Sequence, residues 1–499
     1  MSTSKRLLYS VAQARAIDRR AIEQFGIPGF ELMRRAGEAA ARQILQRYPL
    51  ADRICVLAGP GNNGGDGYIV ASALARARRR VCVQALGKPP EQGDAATARQ
   101  RWLSDGGSID ALGALPTADL YVDALFGIGL ARALEGVAAN AVEWLNQCAS
   151  PVVALDVPSG LNADSGMAPG SVVIAHSTIT FIVDKVGLRT GRAPALTGEV
   201  VVEDLDLPAA LLRSEVPTAE LLGAEQLQQW LPRRPRDAHK GQFGHVLVIG
   251  GDEGYGGAVR LAAEAAARSG AGLVSVLTRP AHLAPILAAR PELMVRGSDY
   301  PERAGKLVDS ASVVAVGPGL GRGEWSQRCL ALALASGKPL VVDADALNLL
   351  AAAPRALSAG SVITPHPAEA GRLLGISTAE VQRDRIAAAR GLARAYRAVS
   401  VLKGAGSLIA APVAEESESS TAEDLAICPF GNPGMASGGS GDVLAGVCAA
   451  LLAQGLDPNA ATRAAVLSHA LAGDRAAAAG ERGMLAGDLL VQLRSVLNP

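Results

Sequence analysis

The sequence predicts two consecutive α/β domains, each built around a mostly parallel β-sheet. Three observations support this prediction: the chain has 499 residues, short apolar runs alternate with helical segments in both halves, and each half carries a glycine-rich loop with an aspartate at a strand-to-helix junction. A chain of this length exceeds what one hydrophobic core usually serves. The alternation favours parallel strands, because a helix carries the chain back across the sheet.

The composition is that of a globular protein, with 49% hydrophobic and 19% charged residues. The 48 basic and 48 acidic side chains balance, so no bulk positive charge is available to hold nucleic acid. No segment has the roughly 18 apolar residues of a membrane span, and the N-terminus lacks the apolar core of a signal peptide. We therefore expect a soluble, cytoplasmic protein. The six cysteines lack metal-binding spacing and are expected to be reduced thiols.

The first half opens with two helical segments, 11–24 and 30–48, followed by apolar runs that predict strands. These strands are residues 53–58, 81–86, 120–125, 152–157, 178–183 and 199–205, with helices at 68–77 and 136–148 between them. The alternation predicts a Rossmann-like, three-layer domain. Residues 207–242 lose this pattern, and their prolines and charges predict a linker, which gives domains at 1–215 and 225–499.

The first glycine-rich loop, GPGNNGGDG at 59–67, contains the GxGxxG pattern of a dinucleotide-binding turn. In a dehydrogenase, an acidic residue after the second strand holds a ribose, but Gly87 and Lys88 follow that strand here. An ordinary dehydrogenase site is therefore disfavoured.

Polar side chains lie at the ends of three predicted strands. Asp66 lies in the first loop beside two asparagines, and Asp123 and Asp156 end two further strands. The carboxyl ends of parallel strands converge on one crevice, where the Asn63 amide, the Asp123 carboxylate and the Ser159 hydroxyl could hold an alkali or alkaline-earth cation. Asn and Asp also shape turns, so a purely structural role is the alternative for any one of them.

Four motifs of this half resemble those of NAD(P)H-hydrate epimerases over nearly all of residues 1–215: GPGNNGGDG, DALFGIGLAR at 123–132, LDVPSGL at 155–161 and FIVDKVGL at 181–188. The resemblance implies a potassium site formed by Asn63, Asp123 and Ser159. It also implies a site for the damaged dinucleotide, formed by Asn62, Asn63, Gly64, Gly65, Asp66, Gly127, Ile128, Gly129, Leu130, Ala131, Arg132, Ala133 and Asp156.

The chemistry of the implied substrate fits these residues. C6 of the hydrated nicotinamide ring carries both a hydroxyl and the ring nitrogen, so inversion needs only opening and reclosure of the C–O or the C–N bond. Acid–base groups can catalyse that step. We hypothesise that Asp156 transfers the proton with Lys185 as its partner. A solvated surface lysine is the alternative for Lys185.

The second half repeats the α/β pattern around another glycine-rich loop. Strands are predicted at 245–249, 273–277, 313–316, 339–342, 361–364, 399–402 and 407–411, with a helix at 258–269 and a hairpin tip or mobile loop at 414–424. The loop GNPGMASGGSGDVLAG at 431–446 opens a predicted helix at 442–453, and no Walker lysine follows it. Backbone N–H groups at such a helix start can hold a transferring phosphoryl group while Asp442 deprotonates the accepting hydroxyl. A simple helix cap is the alternative.

Further motifs of this half resemble the ribokinase-like, ADP-dependent NAD(P)H-hydrate dehydratases over residues 225–499: HKGQFGHVLVIGG at 239–251, GYGGA at 254–258, VGPGLG at 316–321, VDADALN at 342–348, TPHPAEAGRLL at 364–374 and LKGAGSLIA at 402–410. The resemblance implies that the hydrate contacts Ala258, Gly319, His366 and Asp442. It places the adenine nucleotide on Lys403, Gly404, Ala405, Gly406, Ser407 and Gly441, with Mg²⁺ bridging the phosphates of ADP.

Taken together, the two resemblances imply a bifunctional enzyme that repairs hydrated NADH and NADPH, with K⁺ in the first domain and Mg²⁺ and ADP in the second. Its partners would be small molecules, without nucleic acid or membrane, and we expect a homo-oligomer. A kinase for a small alcohol or vitamin precursor is the alternative, because it would use the same GxGD loop. In that case the first domain would be a non-catalytic binding module.

Overall fold

The computed structural model describes residues 6–88, 90–129, 132–412 and 424–499, which divide into two separately packed units. One unit spans Leu7–Ala219 and the other is built from Glu220–Pro499. All six cysteines are free thiols, and four of them are buried. Among the described residues, no helix combines the length and apolarity that a membrane crossing requires.

In the first unit the strands are β1 (Arg6–Tyr9), β2 (Arg53–Ala58), β3 (Arg80–Ala85), β4 (Ile109–Ala111), β5 (Leu120–Ala124), β6 (Val152–Leu155), β7 (Ser177–Phe181), β8 (Asp184–Lys185) and β9 (Glu199–Glu203). The helices are α1 (Val11–Glu23), α2 (Gly29–Arg47), α3 (Asn62–Arg76), α4 (Gly93–Ser104), α5 (Gly136–Gln147) and α6 (Ala209–Leu212). Seven strands form a sheet in the order β4-β3-β2-β5-β6-β7-β9, and all neighbours run parallel. β1 pairs with β8 in parallel.

Alternate residues of β2 face opposite layers of the first unit. Ile54 and Val56 pack in a core with residues of α2, α3 and α4, whereas Cys55 and Leu57 pack with residues of α5. Successive side chains of a strand point to opposite faces, so an uninterrupted apolar strand must be covered on both sides. Helices therefore lie on both faces, which confirms the predicted three-layer, Rossmann-like arrangement.

In the second unit the strands are β10 (Ala219–Leu221), β11 (His245–Ile249), β12 (Leu273–Thr278), β13 (Met294–Gly297), β14 (Val313–Val316), β15 (Leu340–Val342), β16 (Val362–Ile363), β17 (Val399–Leu402), β18 (Ser407–Ala410) and β19 (Leu425–Cys428). The helices are α7 (Leu227–Trp230), α8 (Gly256–Arg268), α9 (Leu283–Ala289), α10 (Gly305–Ser310), α11 (Glu324–Ala335), α12 (Ala344–Ala352), α13 (Pro367–Leu374), α14 (Thr378–Arg383), α15 (Arg385–Tyr396), α16 (Ser440–Ala453), α17 (Pro458–Ala476) and α18 (Ala486–Val496).

The sheet of the second unit is parallel except at one end. Its order is β13-β12-β11-β14-β15-β16-β17-β18-β19-β10, with antiparallel pairing only at β17–β18 and β18–β19 among the described strands. Helices α8 and α16 pack closely against each other. Glycine at position 446 permits this approach, since a Cβ there would lie 2.1 Å from the Ala262 carbonyl oxygen. This close packing fixes where α16 begins, at the second glycine-rich loop.

Three of the differences from the sequence predictions affect the glycine-rich loops or the linker. Helix α3 begins at Asn62, six residues before the predicted start, so NNGGDG forms the first helical turn. Helix α16 likewise begins at Ser440, which places Asp442 in its first turn. The predicted linker contains β10, which pairs with β19. The predicted hairpin tip at 414–424 lies, except for Asp424, outside the described residues.

Two candidate active sites

The strand order of each unit's sheet reverses at one point, and residues of both candidate sites adjoin these points. In the first unit the reversal is at β2 and β5, and the Gly59 amide after β2 donates to the Ala124 carbonyl at 2.9 Å. In the second unit it is at β11 and β14, where a Cβ on Gly250 would lie 2.0 Å from the Pro318 carbonyl oxygen. In open α/β sheets, ligands bind in the crevice at such a point. Glycine at positions 59 and 250 therefore allows the loop after β2 to approach the loop after β5, and the loop after β11 to approach the loop after β14.

A cavity of about 840 Å³ opens at the reversal point of the first unit. The predicted dinucleotide-binding residues that line it are Asn62, Asn63, Asp66, Gly127, Ile128, Gly129, Arg132 and Asp156. Gly64, Gly65 and Ala133 are not among its lining residues, and Leu130 and Ala131 lie outside the described residues. Gly64 and Gly65 instead shape the first turn of α3, where a Cβ on Gly64 would lie 1.9 Å from the Gly59 carbonyl oxygen.

Lys185 is buried and points into this site. Its ammonium donates to the Asp156 Oδ1 at 2.6 Å, to the Thr180 Oγ1 at 2.8 Å and to the Phe181 carbonyl at 2.6 Å. All three ammonium protons are thus engaged, which rules out the solvated-lysine alternative. Asp156 follows β6 in a left-handed conformation with φ of 63°, which is unusual for a non-glycine residue. Lys185 therefore orients one oxygen of Asp156 and leaves Oδ2 for a substrate.

The three predicted potassium ligands lie at the base of the same loops. Ser159 donates to Asp123 through its hydroxyl at 2.6 Å and its amide at 2.8 Å. Asp123 is fully buried, and burial raises the pKa of its carboxyl to about 6. Both amide atoms of Asn63 are buried without a hydrogen-bond partner among the described residues. Buried polar groups are normally paired, so the unpaired amide and the buried carboxylate fit a bound cation.

In the second unit Lys403 connects several acidic residues beneath the start of α16. Its Nζ lies 2.9 Å from the Asp343 Oδ1 and 4.0 Å from the Glu369 Oε2, and a Cβ on Gly441 would lie 3.3 Å from it. Burial would lower the pKa of Lys403, but the carboxylates of Asp343, Glu369 and Asp442 raise it above its usual value. Lys403 therefore stays cationic beside the helix N-terminus, where an anion would be doubly stabilised.

Asp442 lies in the first turn of α16 and is half-buried. Burial raises the pKa of its carboxyl to about 7, with a further increase from Asp343 and an opposing effect of Lys403. A carboxyl that titrates near neutral pH can accept a proton from a hydroxyl and release it again. This is the property required of the predicted base.

The other predicted residues of the second unit form two groups. His366 is the N-cap of α13, and its Nε2 lies 3.2 Å from the Glu369 Oε1, which joins it to the Lys403 cluster. Residues 403–407 form the turn between β17 and β18, closed by the Ser407 hydroxyl, which donates to the Gly404 carbonyl at 2.9 Å. Ala258 and Gly319 adjoin each other at the reversal point, since a Cβ on Gly319 would lie 3.0 Å from the Ala258 Cβ.

Two proteins named bifunctional NAD(P)H-hydrate repair enzyme Nnr align with nearly the whole chain. The protein from Coxiella burnetii is 45% identical over 498 residues, which cover 99% of this chain and 100% of that protein. The protein from Escherichia coli is 46% identical over 490 residues, covering 97% and 92%. The chain belongs to the bifunctional NAD(P)H-hydrate repair enzyme family.

Domain-level comparisons agree with membership of this repair enzyme family. A family described as YjeF-related protein N-terminus matches residues 29–187, and one described as NAD(P)H-hydrate dehydratase matches residues 246–494. A ribokinase-like superfamily protein from Enterococcus faecalis is 31% identical with a TM-score of 0.51, covering 56% of this chain and 95% of that one. An ADP/ATP-dependent NAD(P)H-hydrate dehydratase from Bacillus subtilis, co-crystallised with ATP and Mg²⁺, is 29% identical with a TM-score of 0.50, covering 57% and 98%. The predicted ribokinase-like fold of the second domain is confirmed.

Helix α1 contributes cavity residues that the sequence analysis missed. The first-unit cavity is lined in part by Arg15, Asp18 and Ile22 of this helix. Helix α1 precedes residues 29–187, the segment that matches the YjeF-related N-terminal family. A spacing of three and four residues places the three cavity residues on one helical face. The available sequence signal was the pair Arg15 and Asp18, which adjoins the buried residues Ala14 and Ile17 on the helix.

Proposed function

We propose that this protein repairs hydrated NADH and NADPH in two steps. The epimerase activity, in residues 1–215, interconverts the R and S forms at C6, and the dehydratase activity, in residues 225–499, returns the S form to NAD(P)H at the expense of ADP. The observation that carries the proposal is that each unit brings a carboxylate close to a lysine: the Asp156 Oδ1 lies 2.6 Å from the Lys185 Nζ, and Asp442 lies in the first turn of α16 beside Lys403. Family membership agrees with this assignment.

In the epimerase site Asp156 exchanges a proton with the C6 hydroxyl. Lys185 is best described as a positioning residue, because its three hydrogen bonds hold Asp156 Oδ1 while Oδ2 faces Gly127. The Gly127–Gly129 loop and Arg132 line the same cavity and are suited to the phosphates of the dinucleotide.

We assign a K⁺ site to Asn63, Asp123 and Ser159. Their oxygen atoms suit a hard monovalent cation, and the unpaired Asn63 amide and buried Asp123 carboxylate support the assignment. Bound K⁺ would supply the positive charge that balances Asp123. These residues would then hold the loops after β5 and β6 in place around the cavity.

In the dehydratase site Asp442 removes the C6 hydroxyl proton while that oxygen attacks the terminal phosphoryl group of ADP. The P–O bond to AMP breaks, and the hydroxyl becomes a phosphate ester, which is a far better leaving group than hydroxide. The ring nitrogen then expels phosphate, and loss of a C5 proton restores the dihydronicotinamide. The amide of Gly441 and the ammonium of Lys403 are placed to stabilise the phosphoryl charge.

Mg²⁺ would neutralise and orient the phosphates of the nucleotide during this transfer. Among the described residues, no group of three or more His, Cys, Asp or Glu side chains is arranged to hold a metal ion.

To test the proposal, the protein is incubated with a mixture of both NADH-hydrate epimers, ADP and magnesium. The return of the absorbance of intact NADH is then measured over time. Complete recovery with release of one AMP and one phosphate per NADH is expected. Recovery of only one epimer would restrict the proposal to the dehydratase. A stable phosphorylated product would instead favour the small-alcohol kinase.

A further inference from the structure

Asp66 lines the first-unit cavity with no partner for its carboxyl in the described part of the chain. It lies on the first turn of α3, one helical turn after Asn62 and Asn63, and is half-buried. Asp156, which lines the same cavity, has one oxygen held by Lys185 and Thr180. A carboxyl that faces a cavity without a protein partner is available to hydrogen-bond a ligand that enters the cavity.

Inversion at C6 needs proton transfer from two directions. The hydroxyl departs from one face of the ring and a new hydroxyl arrives at the other. An acid must serve the departing oxygen and a base the arriving one, and the two groups exchange roles in the reverse reaction. A single carboxylate held in one orientation by Lys185 serves only one face.

Resting on the epimerase activity proposed above, we propose that Asp66 is the second proton-transfer residue of this site. It acts on the C6 oxygen from helix α3, while Asp156 acts from the end of β6.

The step balances with water as the only co-reactant. The Asp66 carboxyl gives its proton to the C6 hydroxyl, the C–O bond breaks with its electron pair on oxygen, and water leaves. The lone pair of the ring nitrogen forms an N1=C6 double bond, giving a cationic ring. A second water adds to C6 on the other face, the double-bond pair returns to nitrogen, and the water proton passes to Asp156 Oδ2. Asp66 ends as a carboxylate and Asp156 as the acid, ready for the opposite epimer.

The surrounding charges support both the starting proton and the cationic ring. Asp18 from α1, Asp156 after β6 and Lys185 from β8 face Asp66, and Asp94 from α4 faces Asp18. Burial, with Asp156 and Asp18, raises the pKa of the Asp66 carboxyl well above its usual value, and Lys185 opposes this. The carboxylates of Asp18, Asp66 and Asp156 would also stabilise positive charge on the ring.

The C–O route agrees better with these contacts than ring opening does. Opening the C6–N1 bond would require an acid for the ring nitrogen, and the ammonium protons of Lys185 are already engaged by Asp156, Thr180 and Phe181. Both routes need one acid and one base, but the C–O route places them at the C6 oxygens and draws nothing from Lys185. Asp66 and Asp156 supply them.

The test compares Asp66→Asn with the wild type in epimerisation of purified (S)-NADH hydrate, and uses the exposed Asp105→Asn as a matched control. We expect kcat to fall about 100-fold or more in Asp66→Asn, as general acid catalysis typically contributes that much, with KM within threefold. The wild-type rate should fall at high pH as Asp66 loses its proton, and this decrease should disappear in Asp66→Asn. Asp105→Asn should match the wild type.

The outcomes separate this inference from the proposed function. If the wild type fails to epimerise, the proposed function itself is wrong. If the wild type is active but Asp66→Asn stays within fivefold in kcat, or loses rate only through KM, the role assigned to Asp66 is overturned. A single turnover in ¹⁸O-labelled water should place solvent oxygen on C6 of the product, and full retention of the original oxygen would overturn the C–O route.

Discussion

At the scale of single residues, burial sets the chemistry of the second site. Asp442 is half-buried beside Asp343 and Lys403, and desolvation outweighs the attraction of the lysine, so its pKa rises to about 7. An exposed aspartate would be too weak a base at neutral pH for efficient proton transfer. In the proposed function, the position at the start of α16 would supply both basicity and proximity to the phosphoryl group.

Asp442→Asn should abolish dehydration while nucleotide binding is largely kept, because the amide cannot accept the hydroxyl proton. We expect at least a 100-fold loss in kcat, with the exposed Asp309→Asn as control. In the wild type, kcat/KM should rise with pH around an apparent pKa of about 7, since the base must be ionised. Turnover of Asp442→Asn within tenfold of wild type would contradict the assigned role.

At the scale of secondary-structure elements, the N-terminus of α16 is the feature that shapes the anion site. Its N-cap, Gly439, has φ of 93°, and Gly441 lies next to Lys403 and Asp343. A Cβ on Gly441 would lie 3.3 Å from the Lys403 Nζ and 3.6 Å from the Asp343 Oδ2, without a backbone contact. The space above Gly441 is thus bordered by the Lys403 and Asp343 side chains and not by backbone.

Gly441→Ala should fold normally and bind ADP at least tenfold more weakly, because its methyl group enters the space beside Lys403. Alanine in a helix is favoured over glycine by about 1 kcal/mol, so the free energy of unfolding should not decrease. Gly487→Ala, in the first turn of α18 with no atom near its Cβ, is the matched control. Isothermal titration with ADP would check both; unchanged affinity in Gly441→Ala would contradict the anion site.

A buried histidine beneath α16 should make the second unit sensitive to acid. The His469 Nε2 lies 2.9 Å from the Ser440 carbonyl oxygen, and burial lowers the pKa of this imidazole to about 4. The imidazole has a pKa of about 6.5 in the unfolded chain and about 4 in the folded chain, so the unfolded chain binds the proton first as pH falls. The free energy of unfolding therefore decreases between about pH 6.5 and pH 4. At about 1.4 kcal/mol per pKa unit, the loss is about 3 kcal/mol.

Denaturant unfolding at several pH values would check this, with His469→Gln expected to remove most of the added acid sensitivity. The exposed His239→Gln should leave the pH dependence unchanged. Equal acid sensitivity in His469→Gln and the wild type would show that another group is responsible.

Elements with a simple burial pattern could be predicted from the sequence, whereas those set by distant partners could not. β11, β14 and β17 lie where predicted, because each is an apolar run buried on both faces. The start of α3 was missed, since glycines and asparagines disfavour a helix unless packing requires it. β10 was missed because its buried Glu220 is paired with Arg463, 243 residues away.

The same distinction applies to the sites. Loop aspartates could be proposed from spacing at strand ends, because parallel strands bring those ends together. The inward orientation of Lys185 depends on contacts with Asp156, Thr180 and Phe181, and the α1 face depends on tertiary packing. The orientation of Lys185 is not encoded in a local pattern, and the spacing on α1 predicts a shared helical face but not the cavity that this face lines.

At the scale of the whole molecule, the two units divide one repair between two chemistries. Each unit has its own sheet, its own reversal point and its own carboxylate. In the proposed function the dehydratase takes one epimer, whereas damage produces both, so the epimerase supplies the remaining half of the substrate. In the proposed function the product of the first site is the substrate of the second.

If the epimers exchange through solution, the two activities need not lie on one chain. An equimolar mixture of Asp156→Asn and Asp442→Asn proteins should therefore restore complete recovery of NADH from mixed epimers, because each variant retains the site that the other lacks. Asp156→Asn alone should recover the S form rapidly and the R form only at the uncatalysed rate, and Asp442→Asn alone should recover none. A mixture that still leaves the R form behind, with the wild type complete, would show that the epimer passes between sites of one molecule.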